Sequence, residues 1–375
     1  MNDKLNYSFR LNYIIILILA ATLNFMGVML VRSATGMDNS VVTRQILGSA
    51  VGFTIALGIS FINYRFLLKF AVPIYIFVIT MLIATVLWGA AHHGAGRWIE
   101  VPVLGSVQPA EFAKAGLILC YAAFFYRNEY SLNEPSVVLK ACILFGIPEI
   151  LIFIEPNLST TIIFFVIFAC MYVAAGLSVK IIGLFAGGGG LLLSVIYFLF
   201  STGRYENIPF IKDYQKQRIL SFLYPEQYGD SFLQQKYSMM AIGSGGFFGK
   251  GLYNTDISSL KAGNFLIEEE TDFIFAVIGE ELGFRGSVFI IILYLLLVIA
   301  ILSAAQRAQD IAGACICVGV AAWIGFQTFT NIAVTTALFP NTGVTLPFFS
   351  KGVSSLLSLY LGLGLCLNVA LQPKQ

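Results

Sequence analysis

The residues best suited to chemistry lie in one run, Glu268-Glu269-Glu270-Thr271-Asp272-Phe273. There an acidic cluster gives way to an apolar stretch of about twelve residues that still carries Glu280 and Glu281. A carboxylate where water meets lipid, with other acids around it, suits a general base. Asp272 would equally serve as a structural carboxylate at the positive end of a helix, with Thr271 as its cap. A second pair, Glu111 and Lys114, stands three residues apart and shares one helix face. It is either an ion pair fixing helix register or part of a ligand site. Arg97-Trp98 and Gln108-Pro109 precede it, while Glu149 (beside Pro148) and Glu155 follow. Ionisable residues at membrane depth are costly, which makes function their default reading.

Other patterns are weaker. In Gly243-Ser244-Gly245-Gly246-Phe247-Phe248-Gly249-Lys250-Gly251, Ser244 and Gly251 occupy the places where a nucleotide-binding loop needs Gly and Ser or Thr. What remains is a tight glycine turn, or a turn whose backbone amides face a phosphate. His92-His93 has no third ligand at a zinc spacing. All six cysteines fall in apolar segments and read as small packing residues.

The elements that must position these groups follow from composition. Of 375 residues, 58% are hydrophobic and 11% charged, with a mean hydropathy of +0.84. A soluble domain is about 25% charged, so a soluble globule is excluded, and the 33 Phe and 17 Tyr exclude disorder. The chain reads as all-α, a polytopic integral membrane protein of about ten helices. The predicted spans are 11–31, 46–62, 70–88, 109–126, 137–154, 159–177, 179–200, 286–304, 311–331 and 352–371. Residues 273–284 are too short to cross and suit a re-entrant or interfacial helix. Pro148 should kink its helix, and Gly187–Gly190 should allow close helix contact. With both termini inside, the short inner segments hold nine Lys and Arg and the outer ones four. That asymmetry favours cytoplasmic termini. The loop at 201–272, between helices 7 and 8, is then extracytoplasmic and holds 16 of the 42 charges. Its aromatic residues suggest packing onto the membrane face, and a loop of this length is usually functional.

At this point the residues resemble a known family. Tyr214-Gln215-x-x-Arg218-Ile219-x-x-Phe222-x-x-Pro225, Gln234, the 241–251 glycine run and Thr271-Asp272-Phe273 through Gly279-Glu280-Glu281-Leu282-Gly283 are similar to the SEDS proteins, the shape, elongation, division and sporulation family of RodA and FtsW. Arg97-Trp98-Ile99, Gln108-Pro109-x-Glu111-x-Ala113-Lys114, Glu155-Pro156 and Thr342-Gly343-x-x-Leu346-Pro347-x-x-Ser350-x-Gly352-x-Ser354-Ser355 add to the likeness. The resemblance implies one SEDS-type domain over 1–375 in the bacterial cytoplasmic (inner) membrane. It implies a peptidoglycan glycosyltransferase that polymerises lipid II at the outer face, with Asp272 as the essential carboxylate. The implied partners are lipid II, membrane lipids and a class B penicillin-binding protein transpeptidase; nothing points to nucleic acid. Three features lean toward the division branch: Gly-Glu-Glu-Leu-Gly, Glu155-Pro156 and Thr345-Leu346-Pro347.

The sequence also departs from the family. Ile267-Glu268-Glu269-Glu270 stands where Pro-Glu-x-His is usual, and Asn157 stands where an acid is usual. Ser350-Lys351-Gly352-Val353-Ser354 replaces Ser-Tyr-Gly-Gly-Ser.

The implied reaction needs a base for a sugar hydroxyl and positive charge for the departing pyrophosphate. Asp272 takes the first role, and Lys114, Arg97 and Arg218 are candidates for the second. Glu111 either orients Lys114 or helps hold a divalent cation, Mg or Mn. Gln234 and Ser350 complete the expected substrate-binding set. The rival functions are a lipid-linked precursor flippase or transporter and a non-catalytic scaffold of a division or elongation complex. A transporter would want its key charges near the bilayer midplane, whereas most here lie at the outer face or in the 201–272 loop.

Overall fold

Apolar side chains from Tyr13 to Leu371 form one continuous core, so the helices that carry them must gather into a bundle. The computed structural model describes residues 11–372 except 93–94, 102–104, 156, 205–212 and 255–268. His93, Pro156 and Glu268 lie outside the described residues. In chain order the elements are α1 (Leu11–Ala34), α2 (Asn39–Ser60), α3 (Tyr64–Leu68), α4 (Ala71–Trp88), β1 (Ala90–His92), β2 (Ala95–Val101), β3 (Gly105–Val107), α5 (Pro109–Arg127), α6 (Pro135–Ile154) and α7 (Leu158–Ala175). There follow α8 (Val179–Ser201), α9 (Asp213–Leu223), α10 (Gly229–Ser244), α11 (Ile274–Gln306), α12 (Ile311–Thr335) and α13 (Val353–Leu371). All ten expected spans fall on helices.

Among the described residues nine of these helices are long and apolar enough to cross a bilayer. The tenth expected span is α5, whose apolarity is diluted by Glu111 and Lys114 and most of whose residues are buried by its neighbours. The chain is a multi-pass membrane protein. One small feature escaped the sequence pattern: β1, β2 and β3 form an antiparallel sheet in the order β1-β2-β3 between α4 and α5. Its strands are too short for alternation to show, and β2 carries Arg97.

Local chemistry explains how the irregular helices survive. Pro148 lies inside α6 and cannot donate to the carbonyl four residues earlier. Tyr75 Oη of α4 donates to that Leu144 carbonyl at 2.9 Å. Small residues bring α2 against α13. Gly48, Gly52 and Ala56 recur every fourth residue, and a Cβ on Gly52 would sit 2.4 Å from the Tyr360 ring. By contrast, no neighbouring atom comes within 4 Å of a Cβ placed on any of Gly187–Gly190. The close helix contact expected there is not made.

Helix α11 consists of two limbs joined at Gly283, whose φ of 67° and ψ of −167° are not helical. In the first limb Ile274 through Glu281 are all buried in protein. It is clasped by the glycine turn after α10. Lys250 N donates to Glu280 O and Gly251 N to Glu281 O, both at 2.9 Å, and Phe284 N returns a bond to Gly246 O. The turn's amides therefore bind this bend, which removes the phosphate reading. Its exposed aromatics pack locally, Phe247 stacked on Phe284 and edge-to-face with Phe248, with Arg285 lying over Phe248.

A Cβ on Gly283 would meet Gly249 N at 2.3 Å and would occupy a left-handed backbone region. Gly283→Ala is expected to destabilise the protein by about 2 kcal/mol or more, from backbone handedness and overpacking together. A lowered unfolding temperature of the detergent-purified variant checks this; an unchanged one would show that the bend can relax.

Candidate functional site

The end of the bundle where α5 begins collects the polar groups. The Lys114 side chain is 1% exposed. Its Nζ donates to Glu111 Oε1 at 2.8 Å and to Gln327 Oε1 of α12 at 2.9 Å, and it lies 4.7 Å from the centre of the Trp323 ring. Trp323 Nε1 donates to the same Gln327 oxygen at 2.7 Å. Gln327 Nε2 then donates to Thr345 O and Thr345 Oγ1. Asn331, one turn further along α12, donates to Val344 O at 2.6 Å and to Asp272 O at 2.8 Å. Trp323, Gln327 and Asn331 thus form a polar stripe on one face of an otherwise apolar helix. The four-residue spacing of large polar groups in a span was its visible signal in the sequence.

Asp272 is half-buried and stands before the first limb of α11. The N-cap position belongs to Phe273, two residues beyond the expected Thr271, and Phe273 provides no capping side chain. The Asp272 carboxylate meets the loop after α12. A Cβ on Gly343 would sit 3.2 Å from Asp272 Oδ2 and 3.9 Å from Arg218 Nη1. An acid and a guanidinium from distant parts of the chain therefore converge on one glycine, held at φ +69°. Arg218 is carried there by α9, which packs against α10. Helix α10 is tied to α12 by Gln235 Nε2, donating to Val334 O and Phe339 O, and by Ser238 Oγ, donating to Thr335 O. Gln234 is half-buried, and its neighbour Gln235 makes the contacts that anchor α10 to α12.

Arg97 approaches from β2, its Nε donating to Glu155 O at 3.3 Å. The Glu155 side chain is buried with neither carboxylate oxygen hydrogen-bonded, and burial pushes its carboxyl up to about 8 against the pull of Arg97. From the same segment Ser159 Oγ donates to Thr342 O at 2.5 Å, beside Gly343. Ser350 is 6% exposed; its Oγ donates to Thr271 O at 2.5 Å and accepts from Leu346 N at 2.7 Å. That hydroxyl's proton is used by the protein's own backbone.

A family model described as "Cell cycle protein", FTSW_RODA_SPOVE, matches residues 10–375. The chain belongs to this FtsW/RodA/SpoVE family. The chain is 32% identical over 360 residues to the peptidoglycan glycosyltransferase MrdB of Escherichia coli K12, covering 94% of this chain and 92% of that one. It is also 32% identical over 369 residues to the probable peptidoglycan glycosyltransferase FtsW of Geobacter sp. strain M18, covering 95% and 96%. Both branches therefore match equally well. Among solved structures, a chain described under "Structural coordination of polymerization and crosslinking by a peptidoglycan synthase complex" is similar with a TM-score of 0.77 and 27% identity, over 95% of this chain and 96% of that one. Rod shape determining protein RodA of Thermus thermophilus gives a TM-score of 0.69 at 26% identity, over 98% of each chain.

Within this FtsW/RodA/SpoVE protein the expected site residues separate by depth. Asp272 and Arg218 meet at Gly343, Arg97 lies on the adjoining Glu155–Ser159 segment, and Lys114 with Glu111 forms an enclosed pillar beneath the loop. A divalent cation does not find a protein cage among the described residues, where no group of three or more His, Cys, Asp or Glu converges. Glu111 is instead neutralised by Lys114, although its Oε2 is buried without a hydrogen bond.

Removing one member of a buried ion pair strands the other, at about 3–5 kcal/mol. Lys114→Met is therefore expected to lower stability by about that amount, and Glu111→Gln/Lys114→Met by clearly less. Thermal unfolding of both variants in one detergent checks it. Equal destabilisation by the two would show that the pair's charges do not matter to folding.

Proposed function

We propose that the chain is a peptidoglycan glycosyltransferase that polymerises lipid II at the outer face of the bacterial cytoplasmic membrane, with both termini inside. The observation that carries the reading is the convergence of the Asp272 carboxylate and the Arg218 guanidinium on Gly343, in a family whose relatives are named for this activity. The excess of Lys and Arg in alternate short segments supports the orientation. In that orientation the 201–272 loop, with Arg218, lies outside.

The reaction joins two lipid-linked disaccharides. A sugar hydroxyl oxygen bonds to the anomeric carbon of the second donor, and that carbon's bond to the pyrophosphate oxygen breaks. Asp272 takes the hydroxyl proton, while the lipid pyrophosphate departs with the bond's electron pair. Arg218, beside the base, is placed to hold the pyrophosphate through its planar fork of donors, and Arg97 to extend that positive surface. Lys114, with two of its three donors on Glu111 and Gln327, contributes by fixing α5 to α12 under the site. A class B transpeptidase partner is part of the proposal, supported by the likeness to a chain from a peptidoglycan synthase complex.

Positioned acid–base groups contribute about 10²–10⁴-fold. Asp272→Asn, purified and shown to be folded, is expected to lose at least about a hundredfold in lipid II polymerisation. Liposomes scored for both polymer and translocated lipid make the assay discriminating. Polymer from Asp272→Asn at the wild-type rate would remove the base assignment, and translocation without polymer from the wild type would favour a transporter.

A further inference from the structure

The short segment carrying Asp272 is fastened through three successive carbonyls. Lys351 N donates to Glu270 O at 2.7 Å, Ser350 Oγ to Thr271 O at 2.5 Å and Asn331 Nδ2 to Asp272 O at 2.8 Å. Two of the donors are adjacent residues of the loop before α13, and the third comes from α12. Over this backbone seam lies one ion pair, Lys351 Nζ to Glu270 Oε1 at 3.2 Å, with side chains 42% and 25% exposed. Glu270 and Lys351 carry opposite charges and lie 81 residues apart in the chain.

We propose that the Glu270–Lys351 pair is a positioning latch: it clamps residues 270–272 to the 350–351 backbone and thereby aims the Asp272 carboxylate at the reacting hydroxyl. The proposal rests on the reading of Asp272 as the base. The physical logic lies in where the pair sits. A part-exposed pair adds little to folding stability, so any effect of this one lies in what it holds in place. Glu270 is two residues from Asp272, and the first limb of α11 that follows is rigidly enclosed. Movement at 270 is therefore passed to the carboxylate and little else. Misplacing a reacting group by about 1 Å can cost about a hundredfold in rate. Lys351 has a second acid within electrostatic reach, Asp38 at the start of α2. The Asp38 carboxyl is held below its ordinary range mainly by the Ser40 backbone amide, with a smaller contribution from Lys351. Neutralising Glu270 leaves Lys351 that alternative, so the lysine is the decisive position.

The test uses the full-length protein in detergent or liposomes with lipid II. Lys351→Met is expected to lower kcat about tenfold while leaving KM within about twofold, the pattern of a group that acts on the transition state without touching the bound substrate. Lys351→Arg should keep wild-type kcat, and Glu270→Lys/Lys351→Glu should recover most of what either single reversal loses. In parallel, hydrogen exchange of the peptide spanning 269–276 should speed up in Lys351→Met and not in Lys351→Arg. Unchanged kcat and unchanged exchange in Lys351→Met would overturn the latch, as would a change confined to KM. If the wild type made no polymer, the glycosyltransferase reading would fall while the exchange experiment still decided whether the pair orders the segment.

Discussion

Burying the Lys114 ammonium inside a bundle surrounded by lipid is tolerable only because its donors meet acceptors. Glu111 supplies the opposite charge from the same turn, and Gln327 supplies a neutral oxygen from α12. That second acceptor organises the site. Because Gln327 must face Lys114, its amide nitrogen faces the other way, into the loop at Thr345. Asn331, a turn along the same face, then bridges that loop to Asp272. One enclosed charge thus sets the rotation of α12, and that rotation sets where the loop and the Asp272 segment can lie.

The second constraint is that irregular backbone at membrane depth must find its hydrogen bonds within protein. The break at Gly283 meets it through the glycine turn, whose amides reach the carbonyls of Glu280 and Glu281. Lys250 Nζ pairs with Glu280 at 2.7 Å, and Ser33 Oγ of α1 donates to Glu281 at 2.5 Å. Two acids that would be prohibitive in a lipid-facing helix are thereby held inside the fold. The first limb of α11 can stop short, so that Asp272 meets the end of the bundle and not its lipid-facing side.

Much of this was legible in the sequence, because apolar length in a membrane protein reports directly on helices. The ten spans and the free cysteines all follow from residue type. What stayed hidden depends on pairing across the chain. No local pattern shows that Tyr75 would satisfy the carbonyl orphaned by Pro148, or that the glycine turn would clasp α11. The short sheet bearing Arg97 lacked the length for alternation to register. Lys114 was readable as buried, yet only its partner Gln327, 213 residues away, turns it from a phosphate-binding candidate into a pillar. Ser350 shows the same limit: its hydroxyl looks available until Thr271 is brought beside it.

The departures from the family pattern can now be separated by what each replacement has to do. Asn157 stands where an acid is usual, and its side chain accepts from Thr160 N at the start of α7. Asn and Asp are nearly equivalent in that task, so the lost charge need not cost α7 its beginning. Glu155 is then the acid of that stretch, buried beside Arg97, and burial raises its carboxyl to about 8 against the pull of Arg97. Glu270 and Lys351 differ in kind, since neither would be useful without the other: a lone acid there would add repulsion beside Asp272, and a lone lysine would compete with Arg218 for the carboxylate. Paired, they cancel one another's charge and leave the field around Asp272 to Arg218.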